Sequence, residues 1–413
     1  MGKIGLLGFG TVGSGVYEII NEKKSSYFAD GNASIKRILV RDKSKKRFFD
    51  NYESLLTDNF EDIINDDEIS TVIAVMGGME PEYTYITRAL KKGKNVVTAN
   101  KEIVARHIEE LLNLADENNV AFMFEASVAG GIPIIGSLLE TLKINKVDKI
   151  QGILNGTTNF ILTQMTQNNE DFDVVLKRAQ DLGFAEADPT ADIEGFDVLR
   201  KIGILASLSF GKVIPDEDIY RRGESNISIN DIKMAEEWGY SLKYVAEAIQ
   251  LNDTEYTMSV APVLMEDDSV ISKVNQEYNV VIINGNIIGE LCFLGKGAGK
   301  DATANAVVSD LIKVLNGDYN YSHIHFGNEL TSKGLHAYKA PFYLRANVED
   351  YEQFNAIVNE VAKVVQKNHI VYENNKLYFK TEEISGNIMN ELANTLKEIS
   401  SDVFYARIAN KLL

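Results

Sequence analysis

Cysteine is nearly missing from this sequence: Cys292 is the one thiol in 413 residues. That excludes an internal disulfide framework and any thiolate zinc cluster. Cys292 sits in the strand-like run "GELCFLG" with no histidine or helix start nearby to activate it, so it reads as a small apolar residue. Histidine is scarce as well. Of five, only His323 and His325 lie close together, and they read as ordinary loop or strand residues rather than a metal pair. Basic residues (42) are outnumbered by acidic ones (60), leaving a formal net charge of −18. This balance argues against nucleic-acid and anionic-membrane partners, both of which need a basic patch. No apolar run reaches the ~18 residues a membrane helix requires. The N-terminus passes straight into a strand without the regions of a signal peptide, so the chain is read as cytoplasmic. A length of 413 residues predicts two or three domains.

What is present begins at once. In "KIGLLGFGTVGSGVYEII" an apolar run, Ile4 to Leu7, precedes Gly8, Gly10 and Gly13 in G-x-G-x-x-G spacing, and a helical pattern follows. Gly8 permits the tight turn, Gly10 lets the backbone approach a pyrophosphate, and Gly13 lets helix and strand pack closely. The helix start, with Thr11 and Val12, then faces the phosphates with free N–H groups and its positive dipole end. This position, between an N-terminal strand and a helix, marks a dinucleotide site. A second strand, "IKRILV", ends on Arg41, which suits the 2′-phosphate of NADP, while the following Asp42 leaves NAD open. Lys45 and Lys46 read as a solvated loop. "STVIAVMGG" carries Gly77 and Gly78 to a strand end where a ligand would cross, and "KNVVTANK" ends on Lys101. Strand and helix alternate to about residue 130, predicting a doubly wound, Rossmann-like parallel sheet with helices on both faces.

Beyond residue 135 the pattern loosens. "KVDKIQGILNGTTNFILTQM" places the polar cluster Asn155 to Asn159, including Thr157, between a strand and a helix, with side chains suited to capping or ligand bonds. The run "GFAEADPTADIEGFDVLRK" holds Glu186, Asp188, Asp192, Glu194 and Asp197, and closes on Lys201. Pro189 and Gly195 make residues 183–195 a predicted loop. From Asp197 a largely apolar helix follows, and the spacing of four puts Asp197 and Lys201 on one face of it.

Together these segments resemble homoserine dehydrogenases. The resemblance rests on "GFGTVGSG", "VTANK" (97–101), "FEASVAGGIPI" (124–134), "GILNGTTNFIL" (152–162), "GFAEADPTADIEGFD" with Lys201, and "GKGAGKDATANAVVSDL" (295–311). Two small departures are Phe184 in place of the more usual Tyr, and "KDATA" where the family often has "PTA". The resemblance implies NAD(P)H-dependent reduction of L-aspartate 4-semialdehyde to L-homoserine, on the way to threonine, methionine and isoleucine. Hydride transfer to an aldehyde makes an alkoxide, so the site must supply a proton or positive charge there. Lys201 is the expected proton donor, Asp197 its orienting partner, and Lys101 an electrostatic assistant beside the nicotinamide. Glu186 and Asp192 match the family's substrate-contacting acids, with Thr157 in the same set, whereas Asp188 and Glu194 read as structural or solvent-facing. Gly183, Glu186, Gly297 and Gly299 join the expected cofactor contacts. The family also binds a monovalent cation (Na⁺ or K⁺) through backbone carbonyls, matched here by Glu125, Val128, Gly130 and Ile132. A homodimer or homotetramer is implied too.

The implied division is a nucleotide domain (1–134, with 296–318 returning to it), an α+β catalytic and dimerisation domain (135–295), and a C-terminal module (338–413). From "APFYLRANV" onward the pattern reads strand (342–348), helix (351–366), strand (368–373), strand (376–381), helix (384–399), strand (402–408). That βαββαβ order is ferredoxin-like and resembles an ACT domain. "VEDYEQF" lacks the glycine that close backbone approach to an effector would use, so a role in assembly or stability is expected. Two other readings are weighed. A cysteine-based semialdehyde dehydrogenase needs an activated thiol, which Cys292 does not offer, and a non-catalytic NADPH-binding regulator would have lost the lysine–carboxylate set.

Overall fold

Short runs of β-branched residues become central strands when both their faces can be covered. The computed structural model describes residues 2–21, 26–29, 31–46, 49, 52–319, 324–366 and 368–409, so His323 lies outside the described residues. Six such runs form the first sheet: β1 (Gly2–Leu7), β2 (Ala33–Leu39), β3 (Leu56–Thr57), β4 (Ile69–Ala74), β5 (Asn95–Thr98) and β6 (Phe122–Met123). Their order is β3-β2-β1-β4-β5-β6 and every pairing is parallel. Ile4, Leu6, Val72, Ile73, Val96 and Val97 are fully buried, as strands covered on both faces require. The order reverses between β1 and β4, and ligands bind at such a reversal, outside the strand ends. Helix α1 (Thr11–Asn21) follows β1, and α2 (Lys101–Glu117) follows β5. Asn100 caps α2, its side chain accepting from the Glu102 and Ile103 N–H groups.

The chain then leaves for a second sheet. β7 (Val147–Ile153) leads into α3 (Gly156–Asn168), and α4 (Phe196–Phe210) follows the acidic run. β8 (Tyr240–Gln250), β9 (Glu255–Glu266), β10 (Tyr278–Gly285) and β11 (Gly289–Lys296) complete an antiparallel array ordered β11-β10-β7-β8-β9. α4 is buried almost throughout, with Val198, Leu199, Ile202, Ile204, Leu205 and Leu208 all in the core. The segment 183–195, expected as a loop, contains a single helical turn, Thr190–Ile193. Asp188 starts it by accepting the Thr190 N–H (3.1 Å) and hydroxyl (2.6 Å). Helix α5 (Lys300–Asn316) returns to the first sheet. Its Ala304, Val307 and Leu311 share a core with Ile4, Leu6 and Val16.

The last segment has the element order expected for it: β12 (Phe342–Asn347), α6 (Tyr351–Val364), β13 (Asn368–Glu373), β14 (Lys376–Thr381), α7 (Gly386–Lys397) and β15 (Val403–Ile408). These strands run β15-β12-β14-β13, all antiparallel, over a core of Leu344, Phe379, Ile357, Val361, Met389 and Leu396. β15 also pairs with β9 in parallel (Val263 with Arg407, Leu264 with Ile408), so the two arrays, with the short strands Tyr220–Arg221 and Thr331–Ser332 that also pair with β9, make one mixed sheet of eleven strands. Among the described residues, no helix is long and apolar enough to cross a membrane.

Candidate active site

The cleft begins where β1 ends. Gly8 has φ +98°, a conformation open to glycine at little cost. A Cβ on Gly8 would meet the Val75 carbonyl oxygen at 2.7 Å, and one on Gly13 the Gly8 carbonyl oxygen at 2.2 Å. Gly10 differs, because nothing lies within 4 Å of the place its Cβ would take. Gly8 therefore lets the end of β1 pass close to the end of β4, Gly13 packs α1 against the end of β1, and Gly10 leaves a backbone cradle open at the helix start, a fit for a pyrophosphate.

Two cavities meet at this cradle and share Gly10, Val75 and Met76. The first, about 420 Å³, runs past Arg41, Asp42 and Lys45. The Asp42 carboxylate accepts the Ser44 N–H (2.8 Å) and hydroxyl (2.6 Å), so it is engaged within its own turn. Lys45 is exposed in the turn after β2, as expected of a solvated loop, and lines the cavity beside Arg41. The second cavity, about 680 Å³, is lined by Thr11, Val12, Gly77, Lys101, Glu186, Lys201 and Gly297. Gly183 and Gly299 both have positive φ and belong to neither lining, Gly299 serving as the residue before α5.

At the far end of the larger cavity three segments converge on one carboxylate, Asp197. The Lys201 ammonium stands 2.7 Å from Asp197 Oδ2 and donates to the Leu154 carbonyl oxygen at 2.7 Å. Lys101, first residue of α2, donates to Asp197 Oδ1. The Asn155 side-chain NH₂ donates to Asp197 Oδ2 and to Asp192 Oδ1, each at 2.8 Å, while its oxygen caps α3 by accepting the Thr158 N–H. Asp197 and Lys201 are buried, and Lys101 is partly exposed to the cleft. Burial disfavours the Asp197 anion, but the two lysine ammonium groups outweigh it and hold the carboxyl below its ordinary range. Burial pulls Lys201 below the usual lysine value, reinforced by Lys101 and opposed by Asp197. For Lys101 burial also acts downward, yet Asp197 prevails and the group is raised. Asp192 is pushed up by burial and then by the Asp197 charge.

The remaining residues of the acidic run separate by position. Glu186 is exposed and lines the cavity. Asp188 is spent on its helical turn, and Glu194 accepts the Ser225 hydroxyl at 2.8 Å. Thr157 is buried and donates to the Phe184 carbonyl oxygen at 2.7 Å, tying the acidic segment to the start of α3. Glu125, Val128, Gly130 and Ile132 form a buried turn. The Glu125 carboxylate accepts the Ile135 and Gly136 N–H groups (2.7 and 2.8 Å), so its charge serves a helix start. Sequence reasoning placed Asn155 in a cluster suited to capping or ligand bonds but did not join it to Asp197, and it did not single out the Leu154 carbonyl. The signal available for Asn155 was its place as helix cap immediately after a strand.

A parallel nucleotide-binding sheet whose cleft ends on a buried lysine–aspartate–lysine cluster belongs to an NAD(P)-dependent oxidoreductase acting on a CH–OH group. Comparison with known proteins gives the particular family. The family described as "Homoserine dehydrogenase, NAD binding domain" matches residues 8–125, and "Homoserine dehydrogenase" matches 133–312. The homoserine dehydrogenase of Bacillus subtilis is 45% identical over 315 residues, covering 76% of this chain and 72% of its own. The crystal structure of a homoserine dehydrogenase from Thiobacillus denitrificans superposes with a TM-score of 0.85 at 31% identity, covering 99% of this chain and 98% of that one. A hyperthermophilic archaeal homoserine dehydrogenase in complex with NADPH gives 0.64 at 28% identity, over 76% and 98% of the two chains. The chain belongs to the homoserine dehydrogenase family.

Proposed function

We propose that the enzyme reduces L-aspartate 4-semialdehyde reversibly to L-homoserine with Lys201 as the proton donor. The observation that carries this reading is the Lys201 ammonium, buried on Asp197 yet facing the 680 Å³ cleft. An ammonium group has three donors. Two go to Asp197 and the Leu154 carbonyl, which leaves one N–H for a substrate oxygen. As negative charge develops on that oxygen, Lys201 gives up a proton, helped by a value already drawn below the ordinary lysine range. Asp197 keeps the donor charged and aimed beforehand, and Lys101 adds positive potential on the cofactor side. Glu186 and Asp192 would receive the substrate ammonium group.

A bound nicotinamide cofactor supplies the hydride. The open cradle at Gly10, with the α1 start at Thr11 and Val12, would hold its pyrophosphate, and Gly77 and Gly297 would flank its reactive end. Arg41 and Lys45 favour a 2′-phosphate, hence NADP over NAD, because Asp42 is engaged by Ser44. The carbonyl oxygens of Glu125, Val128, Gly130 and Ile132 would hold a monovalent cation, since neutral oxygens on a buried turn suit a weakly charged hard ion. The C-terminal βαββαβ segment is assigned as an ACT-like module for assembly or stability. Its sheet continues that of the catalytic domain, and a buried arginine ties the two together. A homodimer or homotetramer in the cytoplasm is also proposed. β11 is an edge strand whose exposed face carries Cys292 and Leu294, and an open edge invites pairing.

Cys292 does not support a thiol mechanism. It lies exposed on β11, and partial burial and Glu290 raise its thiol rather than activate it. NADPH oxidation with L-aspartate 4-semialdehyde, phosphate omitted, tests the function: steady turnover to homoserine is expected, and none would overturn it. Light scattering of the purified chain checks the oligomer.

A further inference from the structure

A further buried carboxylate lies behind the cleft, and the mechanism above does not use it. Glu82, at the start of the helix Glu82–Lys91, is fully buried. Its Oε2 accepts two backbone N–H groups, from Met76 and Gly77, each at 2.7 Å. Its Oε1 stands 3.4 Å from the Thr98 hydroxyl, which is also 3.0 Å from the Ala74 carbonyl oxygen. The bonded loop is the one that lines the cleft: Met76 belongs to both cavities and Gly77 to the larger. Gly77 and Gly78 have φ +81° and +80°, and no atom lies within 4 Å of where their Cβ atoms would be, so bare backbone faces the cleft there.

The next bonds lead to the chemistry. The Gly78 carbonyl oxygen accepts from the Asn100 side chain at 2.6 Å, and the Asn100 N–H donates to Thr98 Oγ1 at 3.0 Å. The Asn100 oxygen caps α2, whose first residue is Lys101. Glu82 thus stands at one end of a chain of bonds that passes through the cofactor-facing loop and ends at the lysine on Asp197. We propose that Glu82 is a positioning residue, holding the Met76–Gly78 loop against the cofactor and, through Asn100, the start of α2 with Lys101. Burial raises the Glu82 carboxyl while the two N–H bonds oppose that shift. Its role here is that of an acceptor of fixed geometry, not a charge aimed at substrate.

This proposal rests on the cofactor site described above, and its test separates the two. Glu82→Gln keeps an acceptor for the two N–H groups and turns its NH₂ toward the Thr98 oxygen, whereas Glu82→Ala removes the acceptor. In Glu82→Ala, KM for NADPH is expected to rise about tenfold and kcat to fall about tenfold, the cost of misplacing loop and lysine. In Glu82→Gln both are expected to stay within about threefold of wild type. Hydrogen exchange at the Met76 and Gly77 amides, read without any ligand, is expected to quicken in the alanine variant only. A merely structural Glu82 would lower the Tm of Glu82→Ala and leave KM, kcat per folded enzyme and those two amides unchanged, which would overturn the proposal. Equal damage in the glutamine variant would overturn it as well. Wild type without turnover would instead sink the functional reading and leave the exchange result to stand by itself.

Discussion

Two buried ionic clusters in this molecule look alike on paper and do different things. One is Lys101–Asp197–Lys201 with Asn155. The other joins the C-terminal βαββαβ segment to the helix Ile229–Glu237 through Arg345, which is fully buried and pairs with Asp231 (2.7 Å) and with Asp402. Around Arg345 the guanidinium makes four hydrogen bonds, and both Asp231 oxygens are doubly engaged. Tyr343 donates to Asp231 at 2.6 Å, the Asn226 carbonyl takes a further guanidinium N–H, and Ser228 supplies two bonds to the second Asp231 oxygen. Its carboxylates raise the guanidinium further against the pull of burial. The Lys201 cluster has two cations on one buried anion, an ammonium drawn downward, and a cavity in front of it. Burial of charge is common to both. What sets the Lys201 cluster apart as the proposed site is an N–H that faces a cavity large enough for a substrate.

The contrast can be broken by substitution. Lys201→Ala is expected to lower kcat/KM about a thousandfold or more, the scale of a lost general acid, while Tm moves little. NADPH oxidation and thermal melting check both halves. Arg345→Met should do the reverse, costing about 3–5 kcal/mol by stranding a buried Asp231, with kcat per folded enzyme within about threefold of wild type. Urea unfolding followed by fluorescence reads that loss. Arg41→Ala should raise KM for NADPH about tenfold and leave KM for NADH nearly unchanged, since only the phosphate contact is removed. Thr157→Val should cost about 1 kcal/mol for the lost bond to Phe184 and raise KM for the semialdehyde more than it changes kcat.

Much of this arrangement is legible in the sequence where it depends on local pattern. Glycine spacing set Gly8, Gly10 and Gly13 in their roles, and alternation placed all six C-terminal elements within two residues of their ends. Asp197 and Lys201 are four apart on one helix, so their pairing could be read directly. Their partners could not. Asn155 reaches Asp197 across 42 positions and Lys101 across 96, contacts made only when three elements pack together. Glu82 drew no notice because it lies in a helix whose sequence looks solvent-facing, and its burial depends on the loop folded over it. Lys45 is solvated as read, and only its place beside Arg41 on the cleft could not be told from "RDKSKK".

The most direct test of the central claim is the pH dependence of kcat for aldehyde reduction, in wild type and in Asp197→Asn. Reduction requires protonated Lys201, so the rate should fall as pH rises through its value, at a pH below the ordinary lysine range near 10.5. Asp197 is what opposes that downward shift, so its removal should move the falling limb to still lower pH. A limb that stays in place when Asp197 is replaced, or a rate indifferent to pH across that range, would contradict the assignment of Lys201 as the donor.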